Sequence, residues 1–257
     1  MKTLPISVQL YSLRRMSGGL DAVLSTVAAA GYTAVETVND HGISVSDMQD
    51  LLEKYNLTVS SSHVGIQVLQ EKLAHVINFN KFLGNPVVVV PAPYGPMWAS
   101  STAEDWRSLG RDLDAIGAKL RAAGMRLLYH NHGIEMQILD GTRALDWLFG
   151  AADPANLGYE PDLAWIAHGG ADPVEILGQY AGRCPRVHVK DLAAPGTAEN
   201  EKGLADVGYG ILDWSTILPA AKAAGAEWYV VEHDEPTDPA ASVKRSLDYL
   251  RSVGALL

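Results

Sequence analysis

Val87-Val88-Val89-Val90 is a run of four β-branched residues with no polar side chain on either face of the strand it would form. Strands that are apolar on both faces are typical of parallel sheets, where helices cover the outside and packed side chains fill the inside. Pro91 follows the run, and an Ala/Leu-rich segment of helical period follows at 103–123. The sequence therefore predicts a buried parallel strand with a covering helix.

The same alternation of a short β-rich run and a longer helical segment extends along the chain. We predict eight strands, at 6–10, 34–37, 58–63, 87–91, 126–130, 157–161, 186–190 and 228–232. We predict a helix after each strand, at 20–30, 46–55, 70–83, 103–123, 142–149, 173–181, 214–224 and 239–253. Eight βα units in 257 residues indicate an α/β protein with one domain over 1–257, a closed (β/α)8 TIM barrel.

Composition and charge exclude several classes of function. A formal net charge of -10 opposes binding to nucleic-acid backbones, and a small neutral or weakly charged substrate suits it better. Cys184 is the only cysteine, so an intrachain disulfide is excluded and a reducing, cytoplasmic compartment is expected. The N-terminal residues lack the pattern of a signal peptide, and no run approaches the roughly 18 apolar residues of a membrane span. We expect a soluble protein.

Polar side chains stand where the last four predicted strands end. The His-rich segment 129–135 follows strand five, and Asp162, His188 and Glu232 end strands six, seven and eight. All parallel strands of a barrel end on the same face, so these side chains would converge at one mouth. Carboxylates with imidazole suit manganese, magnesium or zinc, and clustered cysteines of a structural zinc site are absent from the sequence. The pattern predicts a catalytic divalent-metal site.

Each of these residues also has a simpler interpretation. Asp162 follows Pro161 and could cap a turn. His188 could be a core histidine held by a neighbour. Glu232 is harder to explain in that way, because a buried unpaired carboxylate is costly. Their joint occurrence at consecutive strand ends favours the metal site.

Six motifs carry a family resemblance: Ile6-Ser7-Val8-Gln9-Leu10-Tyr11-Ser12, Gly31-Tyr32-Thr33-Ala34-Val35-Glu36, Tyr129-His130-Asn131-His132, Asp162-Leu163-Ala164-Trp165, His188-Val189-Lys190-Asp191 and Val231-Glu232. Together they resemble the sugar phosphate isomerase/epimerase family of the xylose-isomerase-like barrel superfamily, over nearly the whole chain. The resemblance implies a TIM barrel with one divalent ion, manganese first, with magnesium, zinc or cobalt as alternatives. The implied ligands are Glu135, Asp162, His188 and Glu232, with His130 and His132 as alternatives to Glu135.

The implied reaction is the isomerisation or epimerisation of a keto-sugar or related polyol through a metal-bound enediolate. Glu135 and Glu232 are the catalytic candidates, since a carboxylate on each face could remove and return a proton. The same intermediate could instead lose a β-hydroxyl or glycosyl group. A lyase or dehydratase acting on a 3-keto-glycoside or an inosose is therefore the alternative, and a non-catalytic sugar-binding barrel is the third hypothesis.

Further side chains are candidates for binding the sugar: His63, His132, Lys190 and Glu36. His63 could equally be an ordinary packed polar residue. Trp165 stands where DNA-repair and keto-sugar-epimerising relatives carry histidine, which suggests a more apolar substrate wall. Trp98 and Trp106 could supply apolar faces, although such residues more often pack in the core.

The longest irregular connection runs from Leu192 to Leu212 and follows the strand that carries His188. It is either a lid over the site or a disordered surface insertion. The family resemblance also permits a homo-oligomer, as a dimer or tetramer.

Overall fold

A computed structural model describes residues 4–253. Within that range, eight parallel strands form one sheet: β1 (Ile6–Gln9), β2 (Ala34–Val38), β3 (Thr58–His63), β4 (Val87–Val90), β5 (Arg126–His130), β6 (Leu157–Glu160), β7 (Arg186–Val189) and β8 (Trp228–Val231). The strand order is β6-β5-β4-β3-β2-β1-β8-β7. A parallel bridge between Asp162 and His188 brings β7 back to β6, so the sheet curves into a nearly closed barrel. The predicted TIM barrel is confirmed.

Nine α-helices lie within the described residues: α1 (Gly19–Ala30), α2 (Val45–Lys54), α3 (Ile66–Phe82), α4 (Ala103–Ala122), α5 (Ala144–Gly150), α6 (Leu163–His168), α7 (Pro173–Gln179), α8 (Trp214–Ala223) and α9 (Pro239–Ser252). Helix α6 is additional to the eight predicted helices, because Asp162 caps a short helix directly after β6. Helix α3 begins before the predicted residue 70, and its backbone is non-helical at Lys72, which separates the early turns from the rest.

The valine run of β4 is buried on both faces of the sheet. All four valines are fully buried. Val87 and Val89 cluster with Leu128, and Val89 pairs in register with His63 of β3, whose side chain enters the barrel. Val88 and Val90 join the large cluster that includes the covering helices. Apolar residues on alternate positions therefore fill the barrel and anchor the helices.

The connection from Leu192 to Leu212 is folded. Asp191–Leu192 pairs antiparallel with Leu204–Ala205. The buried carboxylate of Asp191 accepts hydrogen bonds from the backbone N–H groups of Gly208, Gly210 and Leu212 and from the indole of Trp214, at 2.9, 3.2, 3.1 and 2.7 Å. These bonds hold the end of the connection against the barrel. The connection is therefore an ordered loop and not a disordered insertion.

None of the helices between residues 4 and 253 combines the length and the apolar character that crossing a membrane requires.

Candidate active site

Three pairs of buried side chains form most of the site, each pair spaced by two residues at the carboxyl end of a strand: Glu160 with Asp162, His188 with Lys190, and Glu232 with Asp234. Side chains two residues apart in extended backbone point to the same face. Each of these three strands therefore sends two polar groups towards the barrel axis, at two depths.

Four residues near the mouth form what we call the outer group: His130, Asp162, His188 and Glu232. Each offers a ligand atom that lies within 4.8 Å of the ligand atoms of the other three. His188 Nδ1 is 3.0 Å from Glu232 Oε2 and 4.0 Å from Asp162 Oδ2. His130 Nε2 is 3.9 Å from Asp162 Oδ2. The structure thus brings together three of the four predicted metal ligands.

Glu135, the fourth predicted ligand, lies outside the outer group. A 3-10 turn at Ile134–Met136 folds its carboxylate back, so that Oε1 accepts from the Tyr129 hydroxyl at 2.6 Å and Oε2 from the His132 backbone N–H at 2.8 Å. Burial raises the pKa of Glu135 to about 7, against the hydrogen bonds from Tyr129 and His132. Of the alternatives considered for strand five, His130 is the residue within the outer group.

Lys190 places a buried ammonium group beside the outer group. Its Nζ lies 2.9 Å from Asp162 Oδ2, 2.8 Å from Glu232 Oε2 and 2.9 Å from Asp234 Oδ2. Burial alone would lower the pKa of Lys190, but the three carboxylates outweigh it and hold that pKa well above its ordinary value. The side chain is therefore a fixed cation at the mouth, and its predicted substrate contact stays a prediction.

A second cluster of possible ligands lies deeper in the barrel than the outer group. We call His63, His130, Glu160 and His188 the inner group. Glu160 Oε2 is 2.8 Å from His63 Nε2, 3.2 Å from His188 Nε2 and 3.5 Å from His130 Nδ1. Burial alone would raise the pKa of Glu160, but with His188 and His130 nearby it falls to about 2.

Glu36 borders the inner group from β2. Its Oε1 accepts from Gln9 Nε2 at 2.7 Å and lies 3.0 Å from His63 Nε2 and 2.7 Å from His188 Nε2. Burial would raise the pKa of Glu36, but His63 and His188 hold it well below its ordinary value. Burial would lower the pKa of His63, whereas Glu36 and Glu160 raise it to about 9. Glu36 and His63, both predicted to bind substrate, contact each other beneath the outer group.

Aromatic rings form one wall next to the outer group. His132 packs between Trp98 and Trp165, with ring centroids at 5.1 and 5.5 Å, and burial lowers its pKa to about 4. The indole N–H of Trp165 donates to Asp234 Oδ2 at 3.1 Å. Trp106 is fully buried and belongs to the core rather than to this wall.

Sequence reasoning assigned no role to Glu160 or Asp234. The available signal was their spacing: each stands two residues from a predicted ligand, Glu160 before Asp162 and Asp234 after Glu232. Asn131 was also missed as a support. Its side-chain oxygen accepts from the Tyr159 hydroxyl at 2.5 Å and from the backbone N–H of Asp162 at 2.9 Å.

The outer group has the chemistry of a divalent-metal site. It offers two carboxylates and two imidazoles from four strand ends, all buried and close enough to share one ion. Mixed oxygen and nitrogen ligands suit zinc, manganese or cobalt. Lys190 Nζ pairs with Asp162 Oδ2 and Glu232 Oε2, so both carboxylates already face a positive charge. The residues present therefore fit such an ion.

Comparison with known proteins places this site in context. An inosose dehydratase of Lacticaseibacillus casei is 25% identical over 266 residues, which cover 89% of this chain and 88% of the relative. A sugar phosphate isomerase/epimerase of Parabacteroides distasonis ATCC 8503 superposes with a TM-score of 0.81 at 22% identity, covering 99% of this chain and 100% of that one. The IolI protein, solved with a bound zinc atom, superposes at 0.75 and 15% identity, covering 98% of each chain.

The xylose isomerase-like TIM barrel family model matches residues 24–253. The match covers all strands from β2 to β8 and every residue of the outer group. The chain belongs to the xylose isomerase-like TIM barrel family.

Proposed function

We propose that the chain is a divalent-metal-dependent lyase that removes water from a cyclic polyol ketone of the inosose type. The curated relatives carry the name inosose dehydratase and match along most of their length. This similarity favours the elimination alternative over the isomerase or epimerase expected first. The small-molecule substrate and the barrel site are common to both reactions.

The observation that carries the proposal is the pairing of the outer group with a buried ammonium group. His130, Asp162, His188 and Glu232 would hold the ion, with zinc, manganese or cobalt as candidates. Bound there, the ion would act as a Lewis acid on a ketone oxygen and make the neighbouring C–H more acidic. Lys190 places a fixed positive charge beside the same carboxylates.

Glu232 would move the proton of the elimination, and Lys190 would stay charged beside it. Glu232 Oε2 would take the proton from the carbon next to the ketone, and the electron pair of that C–H bond would form the new double bond. The C–O bond to the β-hydroxyl would break, and Glu232 would pass the captured proton to the departing hydroxyl, which leaves as water and restores the carboxylate. Lys190 Nζ lies 2.8 Å from Glu232 Oε2 and would hold that carboxylate in place.

The wall formed by Trp98, His132 and Trp165 would border the bound substrate on one side. His132 contacts both indoles beside the mouth, and Trp98 is 46% exposed. Aromatic faces next to a few polar groups are typical of small-molecule sites.

To test the proposal, a ketone of the inositol ring is supplied to the protein in the presence of zinc, manganese or cobalt. We expect ultraviolet absorbance from the conjugated product together with loss of one water by mass. Glu232→Gln should keep the fold and reduce turnover by at least about 100-fold, since it removes the base. Glu227→Gln is the matched control, because Glu227 precedes the same strand at the opposite end of the barrel and pairs with Arg126 and Arg186.

Two results would contradict the elimination. Incorporation of solvent deuterium into a keto-sugar without loss of water would support the isomerase or epimerase instead. Turnover in Glu232→Gln equal to that of Glu227→Gln would remove Glu232 from the reaction.

A further inference from the structure

The amino ends of the last four strands border a cavity at the end of the barrel opposite the outer group. Its volume is about 170 Å³, and we call it the amino-end cavity. Arg126 begins β5, whereas Arg183 and Glu227 precede β7 and β8, and all three line the cavity. Ala155 and Gly182 in the same lining are exposed, so solvent reaches the cavity.

Arg183 is held in place by contacts with β6 and with an aromatic ring. Its Nη2 donates to the backbone oxygen of Leu157 at 2.8 Å, and its own backbone oxygen accepts from the N–H of Tyr159 at 2.7 Å. The guanidinium carbon lies 4.8 Å from the centre of the Phe149 ring. The guanidinium group is therefore already positioned for a ligand, which lowers the entropy lost on binding.

One donor of Arg183 has no partner. Its Nε–H group is buried and finds no acceptor among residues 4–253. A buried donor without an acceptor is costly, and more so on a charged group. The other buried side-chain atoms of those residues without a partner all lie at the carboxyl end of the barrel, on Glu36, His130, His132, Glu160 and Asp162. Arg183 is thus the isolated case at the amino end, and an acceptor in the cavity would satisfy it.

The other polar side chain beside Arg183 is already paired. Asn156 lines the cavity, and its Oδ1 accepts from Arg121 at 2.9 Å while its Nδ2 donates to Asp114 at 2.8 Å. The charges of Arg121 and Asp114 offset each other. This wall therefore adds no net charge, and Arg183 remains the donor available to a ligand.

Positive charge exceeds negative charge around the cavity. The Glu227 carboxylate accepts from Arg126 at 2.9 and 2.6 Å and from Arg186 at 3.0 Å, so two guanidinium groups share it. Asp153, which is exposed, is the carboxylate that acts on Arg183. Three arginines thus stand against two carboxylates, in a chain whose formal net charge is -10. Such a local excess attracts small anions.

We propose that the amino-end cavity binds a small oxyanion, either phosphate or a carboxylate, which accepts a hydrogen bond from Arg183 Nε. Arginine binds the oxygens of both ions through charge-assisted N–H donors. One water takes up about 30 Å³ in the liquid, so the cavity admits an ion of the size of phosphate or acetate. The site lies at the opposite end of the barrel from the outer group and does not depend on the proposed function.

The probes are inorganic phosphate and acetate, titrated separately into the full chain, with sodium chloride of equal ionic strength as the reference. Calorimetry measures affinity, and thermal unfolding measures the stabilisation expected from an anion that binds only the folded state. We expect saturable binding beyond the chloride reference. Tighter binding of phosphate would identify a phosphate site, and tighter binding of acetate a carboxylate site.

Arg183→Gln should weaken binding of the preferred anion at least about tenfold, because it removes the guanidinium group. Arg107→Gln is the matched control. Arg107 lies over the Trp147 ring at 3.8 Å, much as Arg183 lies over its own ring, but it does not line the cavity. Its substitution should leave anion affinity unchanged.

A second variant keeps Arg183 and changes an exposed position, so that folding is preserved. Ala155→Glu adds a negative charge at the edge of the cavity and should also weaken anion binding. Ala29→Glu, at an exposed position of α1, adds the same charge elsewhere and should bind as the native protein does.

Three results would overturn the amino-end site. The first is native protein that binds neither anion beyond the chloride reference. The second is equal anion affinity in the native protein and Arg183→Gln, or, if that variant fails to fold, in Ala155→Glu and Ala29→Glu. The third is binding that Glu232→Gln loses and Arg183→Gln retains, which would place the anion at the barrel mouth and leave the proposed function in place.

Discussion

Asp162 makes different contacts with its two carboxylate oxygens. Oδ1 accepts from the backbone N–H of Trp165 at 2.8 Å and caps α6, while Oδ2 faces Lys190 and the outer group. Burial raises its pKa to about 6, although Lys190 and His188 oppose this. The structural interpretation from sequence, a cap, and the functional one, a ligand, therefore describe different atoms of the same residue.

Two substitutions of Asp162 should separate these contacts. Asp162→Asn keeps a good helix cap but removes the negative charge, so we expect metal affinity to fall at least about tenfold. The thermal stability of the metal-free protein should change little, because Glu232 and Asp234 still pair with Lys190. Asp162→Ala removes both functions and should cost about 1 kcal/mol more in the free energy of unfolding. Metal titration and thermal unfolding of both variants provide the check. Equal stability of the two variants would refute the cap, and unchanged metal affinity would refute the ligand.

Glu135 should make stability depend on pH in the direction opposite to most carboxylates. Its folded pKa of about 7 lies above the ordinary value of 4.5 because burial penalises the anion. Between these two pKa values the folded state holds a proton that the unfolded state has lost. The stabilisation from Glu135 is therefore fully present below pH 4.5 and is lost as the pH rises through about 7. Relative to the native protein, Glu135→Gln should gain up to about 3 kcal/mol in the free energy of unfolding as the pH rises from 4.5 to 8.

Denaturant unfolding at several pH values measures that difference. Exposed Glu71 on α3 provides the matched Glu→Gln control. If Glu135→Gln and Glu71→Gln differ from the native protein by the same amount at every pH, the buried carboxyl of Glu135 has no such effect.

At the level of single residues, the position of a side chain at a strand end predicted which residues come together, except where the chain leaves the strand. Asp162, His188 and Glu232 lie at or near the ends of β6, β7 and β8, so barrel geometry alone brings them together. Glu135 lies beyond β5, and the 3-10 turn that redirects it depends on contacts with Tyr129 and with the backbone of His132 that sequence patterns do not reveal.

Helix α4 and the segment that follows α5 approach each other closely at Gly117. An added Cβ at Gly117 of α4 would lie 2.0 Å from the backbone oxygen of Asn156. The side chain of Asn156 is held against the same helix, with Nδ2 donating to Asp114 at 2.8 Å and Oδ1 accepting from Arg121 at 2.9 Å. Asn156 immediately precedes β6, so this contact also supports the strand that carries Glu160.

Gly117→Ala should therefore destabilise the protein, although alanine favours helices in general. We expect a loss of about 1–3 kcal/mol in the free energy of unfolding, because backbone must move to admit the methyl group. Gly178 in α7 is the matched control: an added Cβ meets no atom within 4 Å, and Gly178→Ala should gain about 0.5–1 kcal/mol. Chemical denaturation measures both. Similar effects from the two substitutions would contradict the close approach.

For the whole molecule, the regular alternation of strands and helices was predictable because every βα unit repeats the same burial pattern. Val87–Val90 contributes to the barrel interior on one face and to the helix layer on the other, as is typical of a parallel strand covered on both faces. Helix α6 and the hairpin at Asp191–Leu192 were missed. Both depend on one side chain satisfying nearby backbone N–H groups, through Asp162 and Asp191, rather than on apolar periodicity.

Removal of metal should abolish activity and leave the barrel folded. The strand ladder from β6 through β1 to β7 and the apolar clusters on both faces of β4 do not depend on the outer group. We therefore expect chelation to eliminate turnover while the far-ultraviolet circular dichroism spectrum stays nearly unchanged. The thermal midpoint should fall, because an ion that binds only the folded state stabilises it. Asp162→Asn is the control, since chelation should change its midpoint less. Collapse of the spectrum on chelation would mean that the ion supports the fold itself.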